Sequence, residues 1–149
     1  MRWTECSQGR VFVLRLGSNE ILHEVIEGFA SSNNIKAAHV SAVGGADKGS
    51  RLVVGPKVPV SSPIVPLYHE LKEPHEFTGT GTIFPDVNGK PVLHMHCSCG
   101  REGTSVTGCV RAGVKVWLVM EVVITELKEC KAKRLKDSSG FELLVPDAE

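Results

Sequence analysis

The chain has 149 residues, 42% hydrophobic and 23% charged, enough apolar material for one domain spanning residues 1–149 to bury its own core. Its 17 Lys plus Arg balance 17 Asp plus Glu, so no net field draws it to nucleic acid or acidic lipid, and 5% aromatics are too few for a single-stranded nucleic-acid stacking platform. The longest apolar run, Val116 to Met120, is far short of a membrane span, and Met1 to Cys6 carry no apolar signal core; a cytoplasmic location without membrane contact is expected.

Arg10 to Leu16 alternates and is rich in β-formers, which predicts a strand. Gly17-Ser18 breaks it and offers Ser18 as a helix N-cap. Ile21, Leu22, Val25, Ile26 and Phe29 then recur on one face, predicting the main helix over about residues 19–31, ended by Ser31-Ser-Asn-Asn34. Beyond Ile35 the pattern turns to β. Strands are expected at Lys36 to Val43, Arg51 to Val54, Ile64 to Leu71, Glu76 to Phe84, Pro91 to Cys99, Thr104 to Arg111 and Val114 to Leu127, about seven or eight in all.

Val43-Gly-Gly-Ala46 is expected to be a tight turn, since no helix pattern follows to make it a phosphate loop. Gly55 to Pro66, with four prolines, reads as a loop or an edge. Asn88-Gly89, Gly100 to Gly103 and Ala112-Gly113 mark reversals, so an antiparallel meander is expected. From Lys128 the chain reads as a last strand, a turn at Asp137 to Gly140 and a return through Phe141 to Val145. The basic run Lys128, Lys131, Lys133, Arg134 and Lys136 is expected to be a solvated sheet edge.

The chemistry concentrates in Pro91-Val-Leu-His-Met-His-Cys-Ser-Cys99. On a strand, Leu93, Met95, Cys97 and Cys99 take the core face and His94 and His96 the other, roughly 7 Å apart between Cα atoms, close enough to share one ion. A strand returning after Gly100 to Gly103 brings Cys109 beside them. The spacing therefore allows a His94, His96, Cys109 metal triad with an open fourth position, against the alternative of two half-exposed histidines and a buried thiol. The five cysteines are odd in number and lack a secretory context, which favours free thiols or a metal ligand; Cys97 and Cys99 read as core packing, and Cys6 and Cys130 have no partner pattern. Glu121, inside an apolar strand, needs a partner such as Arg111, exposure at a groove, or an acid-base role.

Taken in order, Ser41-Ala-Val-Gly-Gly-Ala46, Pro74-His-Glu76, Gly79-Thr-Gly-Thr82, Leu93-His-Met-His96, Gly108-Cys109, Glu121 to Leu127 and Asp137-Ser-Ser-Gly-Phe141 resemble the plants-and-prokaryotes conserved (PPC) domain over about residues 8–145. The resemblance implies an α+β fold with a strongly bent, mostly antiparallel sheet and one main helix, assembled as a homotrimer. Plant members carry AT-hook DNA-binding motifs; this chain has no Arg-Gly-Arg-Pro core, so a DNA-binding label would be inherited from a part the sequence lacks. The fold is also similar to that of acetolactate decarboxylase, where an H-x-H pair and a later histidine hold zinc. His94 and His96 match that pair, and Cys109 stands where histidine is usual. Zinc is thus the implied cofactor, and Glu121 and Arg111 are the nearest candidates for acid-base or electrostatic roles.

Two function classes follow. One is a trimeric metal- or small-ligand-binding module, with room for a lyase or hydrolase activity. The other is a DNA- or chromatin-associated protein, for which weak duplex binding is expected at zero net charge.

Overall fold

A computed structural model describes residues 1–59, 63–137 and 140–148. Eight strands make one antiparallel sheet: β1 (Ser7–Gly17), β2 (Ala38–Ala46), β3 (Arg51–Pro56), β4 (Pro66–Glu70), β5 (His75–Pro85), β6 (Pro91–Arg101), β7 (Thr104–Cys109) and β8 (Val116–Lys128). Their spatial order is β1-β8-β2-β5-β6-β7-β3-β4, so the sheet is open, with β1 and β4 as edges. Helix α1 (Leu22–Ser32) packs against β6, and a hairpin of β9 (Lys133–Lys136) and β10 (Glu142–Val145) follows the sheet. The architecture is the expected α+β one, but the meander holds only for β5, β6 and β7; β1 and β2 both pair with β8, far away in sequence.

Period-two alternation divides the sheet into two faces. The inner face gathers Leu16, Val40, Ala42, Phe77, Ile83, Leu93, Met95, Met120, Val122 and Ile124 against Leu22, Ile26 and Ala30 of α1. The outer face is roofed at one end by the segment leading into β9, where Ala37, Phe84 and Ala132 form a smaller cluster.

Several local expectations are corrected. Ser18 does not cap α1: the N-cap is Ile21 and makes no side-chain cap hydrogen bond, while Glu20 turns back to accept the Gly17 N–H at 2.6 Å. Gly44 and Gly45 form no turn but continue β2 across a register shift, where β8 carries extra residues opposite them. A Cβ on Gly44 would stand 2.3 Å from the Val119 carbonyl oxygen, so only glycine admits this approach. β7 stops at Cys109, and Arg111 lies in the single 3₁₀ turn Val110–Ala112. Asn88-Gly89 sits in a longer loop, in which Asp86 Oδ1 accepts the N–H groups of Asn88 and Lys90 at 2.8 and 2.9 Å. The Gly55 to Pro66 loop and the Asp137 to Gly140 turn lie partly outside the described residues.

Two stability predictions arise from this frame. Gly28 is exposed in α1, and among the described residues nothing beyond its own stretch of helix stands within 4 Å of the point where a methyl group would be, so Gly28→Ala should stabilise the fold by about 0.8–1.0 kcal/mol, read as a higher urea midpoint. Glu126 is 8% exposed, and its carboxylate accepts hydrogen bonds from the Arg10 Nε and Nη2 at 2.8 Å, which holds its pKa down at about 2. The unfolded carboxyl titrates near its ordinary value of about 4.3, so this stabilisation is complete above that pH and is lost as the pH falls toward 2. Glu126→Gln should lower stability at neutral pH and flatten the acid limb of a urea-midpoint profile; an unchanged limb would remove the ion pair from the account.

Candidate metal centre

The site follows from one tight hairpin. Glu102 and Gly103 both adopt positive φ, 51° and 76°, closing a two-residue turn that pairs Arg101 with Thr104. From there the register runs to His96 opposite Cys109. Alternation puts His94, His96 and Cys109 on the outer face, while Cys97 and Cys99 enter the core at 3% and 0% exposure.

The ligand atoms of His94, His96 and Cys109 all lie within 4.8 Å of one another. The imidazoles stand nearly perpendicular, 82° between planes and 5.1 Å between centroids. Donors around a tetrahedral zinc sit roughly 3.5 Å apart, given bonds of about 2.0–2.3 Å, so modest side-chain rotations would complete a three-ligand set. Two imidazole nitrogens and a thiolate suit a borderline-soft divalent ion far better than calcium or magnesium.

Neighbouring groups hold this geometry. Because β7 ends opposite His96, the Leu93 N–H donates instead to Glu27 Oε1 of α1 at 2.9 Å, which fixes the strand just before His94. On β5, Thr82 and Thr80 stand opposite His94 and His96, and Thr80 Oγ1 shares a 3.0 Å hydrogen bond with His39 Nε2. Desolvation, and then the charges of Arg134, Arg111 and His96, lower the pKa of His94 and favour the neutral ring that a metal requires.

Arg134 overturns the expectation of a fully solvated basic edge. It is 4% exposed, its Nη2 donates to Thr82 Oγ1 at 3.3 Å, and its guanidinium carbon lies 5.9 Å from the centroid of the Phe84 ring. Burial and the like charge of Arg111 lower its pKa, opposed by Glu142 and Cys109. The available signal is its residue type: one arginine among lysines, in a hairpin strand whose alternate residues must face inward.

Arg111 thus falls in the electrostatic surroundings of His94, as its proximity in sequence to Cys109 suggests. Glu121 does not join it. It is exposed on β8 opposite Arg15 and Val43, with β2 and β5 between its strand and β6. Cys6 and Cys130, for which the sequence offers no pairing pattern, do meet: burial and a hydrogen bond with Cys130 push the Cys6 thiol up to about 11.

Residues 3–128 match the Plants and Prokaryotes Conserved (PCC) domain. Among solved structures, the chain is similar to a metal-containing protein from Archaeoglobus fulgidus, at 27% identity and a TM-score of 0.83 over 96% of this chain and 98% of that one. It is also similar to a plant- and prokaryote-conserved protein from Pyrococcus horikoshii, at 25% identity and a TM-score of 0.83 over 96% of each chain. A candidate DNA-binding protein from Bacteroides thetaiotaomicron shares the fold at 16% identity and a TM-score of 0.73, covering 94% of this chain and 95% of that one. No protein of curated function matches.

Proposed function

The chain belongs to the Plants and Prokaryotes Conserved domain family, and from that premise we propose that it is a cytoplasmic homotrimer binding zinc through His94, His96 and Cys109. The observation that carries this reading is the convergence of the three ligand atoms within 4.8 Å on one sheet face. The metal-containing character of the Archaeoglobus fulgidus relative supports it. With three protein ligands, the ion keeps a fourth position for water or a small ligand, the arrangement of catalytic rather than structural zinc.

The trimer draws support from the outer face of β1, β8 and β2. Val11, Val13, Val43 and Val123 stand there at 52%, 79%, 51% and 37% exposure, an apolar strip suited to burial against a second copy. Protein purified without an affinity tag should hold about one zinc per chain and scatter light as a particle of about 48 kDa, three times the 16.1 kDa chain. A metal-free protein that takes up no zinc on dialysis would end the metal reading; a 16 kDa particle at micromolar concentration would end the trimer.

The second reading, DNA association, is favoured by the likeness in fold to the candidate DNA-binding protein from Bacteroides thetaiotaomicron. Against it stand the zero net charge of the chain and the burial of Arg134, which removes one cation from its basic run. At about 150 mM salt, where screening reaches about 8 Å, no sequence-selective submicromolar duplex binding is expected. A gel-shift series with random and AT-rich duplexes tests this.

A further inference from the structure

The surroundings of the cluster hold more positive charge than metal binding requires. Arg134 is 4% exposed, yet its Nε has no hydrogen-bond partner among the described residues, and its Nη2 reaches Thr82 at a long 3.3 Å. Buried guanidinium donors are ordinarily satisfied, because leaving one unpaired in a water-poor site is costly. Thr82 stands directly opposite His94 across β5 and β6, so this under-satisfied cation reaches the sheet at the level of the first imidazole.

Next to Arg111 lies a cavity of about 360 Å³, whose described lining includes none of the three ligand residues. Val53, Pro56, Ile64, Tyr68 and Phe141 supply much of its apolar wall, and Arg111 is part of the same wall. Val53 pairs with Cys109, so the Val53 side chain in the cavity wall and the Cys109 sulfur project from one sheet face. Arg111 therefore belongs to both the cavity and the electrostatic surroundings of His94.

We propose that this region binds a small organic monocarboxylate, its carboxylate held between Arg134, Arg111 and the open position of the metal, and its short apolar body in the cavity. The metal contact rests on the zinc reading above; the arginine and cavity contacts do not. A divalent ion bound by two neutral imidazoles and one thiolate keeps a single positive charge, to which the two guanidinium groups add. Glu142, the acidic group acting on Arg134, offsets one of these charges and leaves the site cationic. Guanidinium groups match a carboxylate with paired N–H donors, and the unpartnered Nε supplies such a donor. A cavity of this volume suits a small ligand, whereas inorganic phosphate would leave its apolar wall unfilled.

Calorimetric titration of hexanoate, with hexylammonium and phosphate as controls, tests the assignment on the zinc-loaded full chain and on the chelator-treated chain. Hexanoate should bind, hexylammonium should not, and phosphate should bind more weakly than hexanoate. Arg111→Gln, at an exposed position, should weaken hexanoate about tenfold or more in the zinc-loaded and the chelator-treated chain alike; Arg134→Gln should do the same if it folds. Cobalt substitution gives a separate readout, since hexanoate reaching the open position should shift the visible bands.

If zinc binds but hexanoate does not, or if hexanoate binds Arg111→Gln as tightly as the parent, the carboxylate site is overturned while the metal reading stands. If zinc fails to bind yet hexanoate affinity still depends on Arg111, the metal reading falls and the carboxylate site is upheld in its metal-independent part.

Discussion

Cys109→Ser should cut zinc affinity by at least about 100-fold, because removal of a direct ligand must exceed the 10- to 100-fold cost of losing an outer-shell partner. Serine matches the thiol in shape but is not deprotonated near neutral pH, so the charge holding the ion is lost while the packing around residue 109 is nearly kept. His94→Ala and His96→Ala should fall in the same range. Cys99→Ser is the contrast: its side chain is buried on the inner face, so it should lower stability and leave zinc affinity within a few-fold of the parent. Competition with a chromophoric chelator measures all four variants. Equal zinc affinities for Cys109→Ser and Cys99→Ser would exclude a direct role for the Cys109 sulfur. Affinity should also fall as the pH drops, since protons compete for the thiolate and both imidazoles.

The parts of this site that are legible in sequence are those set by local rules. His94, His96 and Cys109 are joined by one short hairpin, and within a hairpin the turn fixes the register and alternation fixes the face. The inner placement of Cys97 and Cys99 follows from the same parity. Arg134 is hidden because its burial depends on where the segment after β8 lies over the outer face, a packing decision among residues distant in sequence. Gly44-Gly45 misleads for a similar reason. A Gly-Gly pair after a strand ordinarily signals a turn, but here it answers the close approach of Val119 and Trp117, which belong to a strand some seventy residues further on. The strand count is legible from periodicity, whereas the placement of β8 between β1 and β2 comes from long-range pairing that no window of sequence encodes.

The fold and the site meet most tightly at Gly81. It faces the core on β5 opposite Met95, and a Cβ there would stand 2.5 Å from the His94 carbonyl oxygen and 2.6 Å from the Met95 Cβ. These neighbours are backbone and the root of a side chain, so neither can swing away; β5 and β6 would have to separate. Gly81→Ala should therefore destabilise the protein by about 2–3 kcal/mol, the upper part of the usual range for overpacking a core. The displacement falls on the strand that carries both histidines, so zinc affinity should drop as well, even though Gly81 touches no ligand atom. Gly79 provides a graded comparison. Its nearest obstacles are 3.0 Å away, and two of them belong to the Phe77 ring, which can shift, so Gly79→Ala should cost less than Gly81→Ala. Urea denaturation of the metal-free chains gives the stability order, and chelator competition gives the zinc order. A Gly81→Ala protein as stable as the parent would show that β5 and β6 are not in such close contact and would withdraw the backbone constraint on His94.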